Sequence, residues 1–103
     1  MKSTEHLVSE EELLRYRQLD CAKILPLLSD YLKGDRDFTA LKKRHTDRWH
    51  LTASGHDFEL LTTGAKWFDT RANRGGGGAI DLCMHLSSLT FKQAVARLRD
   101  LGL

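Results

Sequence analysis

The residues of this chain best suited to chemistry are cations set beside aromatics and glycines. Lys42-Lys43-Arg44-His45-Thr46-Asp47-Arg48 is the densest basic cluster, and Arg71-Ala72-Asn73-Arg74 is a smaller one directly before four glycines at 75–78. Lysine and arginine hold a phosphate backbone by charge, while an aromatic face on a basic sheet stacks unpaired bases. Trp49 and Trp67 are the aromatics in question. Trp49 alternates with Arg48 and His50 and is expected inside with Leu51; Trp67 is expected outside and Phe68 inside, since neighbours in a strand face opposite ways. The glycines ahead of a helix can expose backbone donors to an anion. A flexible turn is their default reading, because there is no GxxxxGKS/T or GxGxxG pattern and no lysine at P-loop spacing. The expected nucleic-acid-binding set is Lys42, Lys43, Arg44, Arg48, Lys66, Trp67, Arg71, Arg74, Gly76 and Gly77, forming one stripe across sheet and glycine loop.

Other chemistries find little support. No paired carboxylates share an apolar setting and no nucleophile stands beside a base, so no catalytic residue is assigned. Cys21 and Cys83 belong to no CxxC pair, which excludes a disulfide framework and a four-cysteine zinc site. His45, His50 and His56, with Cys83 and His85, permit a regrouped metal site, but Cys83 falls on an apolar helix face and lone histidines are more often solvated or hydrogen-bonded. No metal or cofactor is expected. Asp81 suits the helix dipole better than catalysis. The net charge of +2 hides an uneven distribution: residues 1–20 carry five acids against three bases, residues 34–103 eleven bases against eight acids. The second part is the better polyanion partner. No apolar run approaches the roughly 18 residues of a membrane span, and residues 1–9 lack a signal-peptide core. A soluble, cytoplasmic protein without membrane contact is expected.

At 103 residues the chain suits one domain with a single core. Ser9 and Glu12 stand at capping-box spacing, with Val8 and Leu13 as a hydrophobic staple, so a helix should run over 10–18. Ile24, Leu25, Leu27, Leu28, Tyr31 and Leu32 give a second helical segment over 20–33, kinked or restarted at Pro26 and closed by Gly34 in the left-handed region. Residues 35–47 fit a short helix or an irregular connection. Segments 48–52, 57–62 and 66–70 are short and rich in aromatic and β-branched residues, and Ser54-Gly55 and Thr63-Gly64-Ala65 separate them. They predict a three-stranded antiparallel meander. After the glycines a helix carries Ile80, Cys83, Met84 and Leu86. A last one follows the capping box of Thr90 and Gln93, with Phe91, Ala94, Val95, Leu98 and Leu101 at helical spacing and Gly102 at its end. The expected class is therefore α+β: a helical segment 1–34, a β-meander 48–70, and a glycine turn with two helices over 75–103.

Lys66-Trp67-Phe68-Asp69, the run from Gly75 through Ala79-Ile80-Asp81-Leu82, Met84-His85-Leu86 and Leu89-Thr90-Phe91-Lys92-Gln93-Ala94-Val95 together resemble the N-terminal zinc-binding domain of bacterial and phage DNA primases. The likeness is to degenerate versions in primase-like proteins of plasmids and mobile elements. The resemblance implies a zinc-ribbon-like sheet. The family's ligand positions fall near His50 to Ser54 and near Thr70 and Asn73, where only His50 can coordinate, so it implies a copy that has lost the metal.

In primases this domain helps choose the template, and primer synthesis belongs to a separate catalytic domain. The expectation by resemblance is a non-catalytic, single-stranded DNA-binding accessory module of a DNA replication protein, working with a polymerase, primase catalytic subunit or helicase. The alternative is a metal-free protein-interaction module whose acidic first helix docks a polymerase, helicase or relaxase. A third reading is a metal sensor using His50, His56 and Cys83.

Overall fold

The computed structural model describes residues 8–35 and 46–103. Helix α1 (Glu10–Gln18) starts at the expected cap, where Ser9 Oγ accepts the Glu12 N–H at 3.1 Å. Glu12 itself turns away to the other end of the described chain. Its carboxylate accepts Arg99 Nε at 2.8 Å, Arg99 Nη2 at 2.7 Å and the Tyr16 hydroxyl at 3.1 Å. The Arg99 fork draws the Glu12 carboxyl down from the ordinary 4.5 to about 2. A depressed folded value stabilises fully above pH 4.5, and that contribution is lost as the pH falls toward about 2. Glu12→Gln is therefore expected to flatten the acid limb of stability, read as urea midpoints across that range. A limb as steep as the wild type's would put acid sensitivity elsewhere.

Helix α2 (Cys21–Leu28) begins at Asp20, whose Oδ1 accepts the Ala22 N–H at 3.2 Å, and contains Pro26 without interruption. The expected helix over 20–33 is too long. Tyr31–Gly34 is strand β1, paired antiparallel with β2 (Thr46–Ala53). Gly34 ends no helix; a Cβ there would lie 3.2 Å from Trp49 Cζ3, so its bareness makes room for the indole of the neighbouring strand. Strands β3 (His56–Thr63), β4 (Lys66–Asp69) and β5 (Arg74–Gly77) follow in the order β1-β2-β3-β4-β5, each antiparallel to the last. The expected three-stranded sheet is thus corrected to five strands. Composition hides both additions: Tyr31 and Leu32 extend an apolar helical stripe, and a run of three glycines has no strand propensity of its own. β5 pairs because aromatic side chains of β4 fill what its glycines leave empty, Trp67 opposite Gly76 and Phe68 opposite Gly75.

Helix α3 (Ala79–Ser87) follows β5 directly, capped by Gly78 at φ +88°, where a Cβ would also meet Arg17 Cα at 3.2 Å. Helix α4 (Phe91–Asp100) carries the complete capping box of Thr90 and Gln93. The core is one-sided. Leu51, Ala53, Leu60, Thr62, Trp67 and Asp69 are buried against helix residues such as Ile24, Leu25, Leu82, Leu86 and Leu98, whereas their strand neighbours Arg48, His50, Glu59 and Phe68 are not. No helix among the described residues is long and apolar enough to cross a membrane.

Candidate nucleic-acid interface

The described helices pack on one face of the sheet, and on the other face strand register arranges the side chains in rows. Thr46, Thr63, Lys66 and Gly77 form the first row. Arg48, Leu61, Phe68 and Gly75 form the second, with Asp35 at its end through the Asp35 N–H to Arg48 carbonyl bond at 2.9 Å. Lys33, His50 and Glu59 make the third, and Tyr31, Thr52 and Asp57 the fourth.

Charge divides this face. Glu59 and Asp57 occupy the last two rows, where Glu59 lies 3.6 Å from His50 Nδ1 and Asp57 accepts the Thr52 hydroxyl at 2.9 Å. The first row holds no acid, and Lys66 makes no ion pair among the described residues. Beside it Phe68 is 38% exposed. Thr46, Leu61, Thr63, Lys66 and Phe68 line a groove of about 290 Å³.

The expected stripe is only partly assembled. Lys42, Lys43 and Arg44 lie outside the described residues. Arg48 is on the open face, but its Nε and Nη2 donate to Asp35 Oδ2 at 3.0 and 2.7 Å. Lys66 is exposed on the open face opposite Thr63, and Arg71 is exposed in the β4–β5 turn. Arg74 is opposite Asp69 in the register and therefore on the helix side, lining a groove of about 300 Å³ with Asp81, Met84, His85 and Ser88.

The assignment of the two aromatics is reversed. Trp67 is buried, 4% exposed, and Phe68 is the surface ring. The larger ring takes the core position because Gly76 leaves it space there, so Trp67 is no surface probe. Nor do the glycines form an open phosphate cradle. The Gly77 N–H donates to Asp81 Oδ2 at 3.1 Å and the Gly78 N–H to the Ala65 carbonyl at 2.8 Å. Asp81 thus ties α3 to the strand that precedes it.

Sequence reasoning also missed a buried polar cluster beneath Trp67. Asp69 accepts the Arg71 and Ala72 N–H groups at 3.0 Å each through Oδ1, while Oδ2 meets His85 Nε2 at 2.7 Å. An ionised carboxylate only accepts, so Nε2 carries the proton. Burial alone would raise the Asp69 carboxyl, but the His85 and turn N–H bonds hold it below its ordinary value. His85 stacks on Trp67 at 4.6 Å and meets Phe58 edge-on at 5.7 Å. The available signal was an aspartate at the end of a strand directly before Thr70-Arg71-Ala72-Asn73, since Asp there commonly accepts the amide two residues on in an Asx-turn. Burial pushes the Cys21 thiol up to about 12 and the Cys83 thiol up as well, which leaves neither a nucleophile at neutral pH. Among the described residues, no three His, Cys, Asp or Glu side chains converge as metal ligands would.

A 65 kDa protein of Zymomonas mobilis subsp. mobilis is 38% identical to this chain over 93 residues, which are 89% of this chain and 15% of that protein. The chain therefore spans about 15% of the length of the curated relative it matches. No family model matches the chain, and no solved structure does.

Proposed function

We propose that this chain is a non-catalytic module that binds single-stranded DNA on the open face of its sheet, centred on Phe68. The observation that carries the reading is the exposed Phe68 ring beside Lys66, on the sheet face opposite the described helices, where Asp35, the acid of the first two rows among the described residues, is held by Arg48. Base stacking on an aromatic is indifferent to sequence, and cations alongside it hold the backbone. The likeness to primase template-binding domains supports the same ligand, and template recognition for a replication protein is the role it fits.

Anisotropy titrations of a labelled oligo-dT at two salt concentrations test this. Phe68→Ala is expected to weaken binding on the order of tenfold, within the range for one stacked base, read at a temperature where circular dichroism shows the variant folded. Contacts from about three cations would give a log–log salt slope near −2. An absence of binding at low salt would overturn the reading. It would turn attention to α1, where Glu10, Glu11 and the exposed Leu14 offer a face to a protein partner.

A further inference from the structure

Resting on that reading, we infer that the groove at the first row receives one unpaired base and reads its edge through the hydroxyls of Thr46 and Thr63. The groove lies at the corner of the open face, where β2, β3 and β4 run side by side. Phe68 forms an apolar wall against which a flat ring stacks, and Leu61 continues that wall in the same row. Across the groove the Thr46 and Thr63 Oγ1 atoms are 2.7 Å apart, so one hydroxyl donates to the other. The pair therefore keeps one hydroxyl hydrogen and several lone pairs for a ligand. Such a pair meets the hydrogen-bonding edge of a base, which displays carbonyl acceptors and amino donors together. Lys66 stands opposite Thr63 in the register, and its ammonium is placed for the adjoining phosphate.

This arrangement goes beyond charge and stacking, because both of those treat all bases alike. It assigns the choice among bases to two threonines. Affinities for dT, dC and dA octamers should differ by about three- to tenfold, the range of a hydrogen bond made or left unmade. The Thr46→Val/Thr63→Val variant should collapse that spread, since valine keeps the shape and the β-branch while removing both hydroxyls. Thr63→Ser, which retains a hydroxyl, should preserve it. Lys66→Ala should weaken all three octamers by a similar factor and lower the salt slope by about 0.7.

Wild-type binding with equal affinities, or a spread the valine pair leaves intact, would overturn the base pocket while leaving the binding reading in place. Thr63→Ser decides the same point should the valine pair not fold, because a spread lost while the hydroxyl is kept would also overturn the pocket. No binding to any octamer would remove the binding reading itself.

Discussion

Gly76→Ala is expected to destabilise the protein by roughly 3 kcal/mol, the upper part of the range for overpacking a filled interior. A Cβ at this position would run into the Asp81 carboxylate and would lie 2.6 Å from Trp67 Cζ2 and 2.9 Å from Trp67 Cε2. The carboxylate could swing aside only by giving up its bond, and the indole cannot yield cheaply. Asp81 is held by the Gly77 N–H, and the indole is clamped between this glycine and the His85 ring. Gly77→Ala is the internal control, since its Cβ would meet nothing nearer than the Ala65 carbonyl at 3.9 Å. A change within about 1 kcal/mol is expected there, in the direction of a gain, as for glycine replaced at a compatible site. Urea melts of the two variants separate a steric collision from a general sensitivity of the glycine strand; equal losses would count against the collision.

Asp69→Ala should cost about 3 kcal/mol, in the range for removing one partner of a buried polar pair. It would leave three donors without their acceptor: His85 Nε2 and the N–H groups of Arg71 and Ala72. Asp69 is 3% exposed, so water cannot easily replace the lost bonds. The carboxyl is depressed in the folded state, so its contribution is present above its ordinary 3.8 and disappears as the pH falls through the lower folded value. A double-mutant cycle with His85→Ala should return a coupling above about 1 kcal/mol, as for residues in one network. A loss under about 1 kcal/mol with additive single effects would show that the turn and the histidine are held by other contacts.

Much of this architecture was legible in the sequence, and the reasons differ by element. Strands β2, β3 and β4 announce themselves through alternation and turn residues, and Ser9, Asp20 and Thr90 mark helix starts because their side chains satisfy local donors. The two edge strands are silent. Each depends on a glycine opposite a tryptophan, Gly34 with Trp49 and Gly76 with Trp67, and that pairing exists only once the register is known. The site was harder still. Which of Trp67 and Phe68 lies inside depends on the glycine across the strand and on the His85 ring, neither adjacent in sequence. Glu12 fits a capping box by spacing, yet a guanidinium 87 positions away offers it a bidentate partner that a backbone N–H cannot match.

The unbroken strand order has a kinetic corollary. Strands β2 to β5 pair in chain order across connections of two to four residues, so this part of the sheet can zip without first closing a long loop, and such local contacts favour rapid folding. The clamp between Glu12 and Arg99 is the opposite kind of contact, joining residues 87 apart. Closing that long loop is expected to follow formation of the sheet. An interaction made after the transition state leaves the folding rate almost untouched and acts on unfolding. The clamp is therefore expected to work as a latch: removing it should speed unfolding and leave the folding rate nearly unchanged.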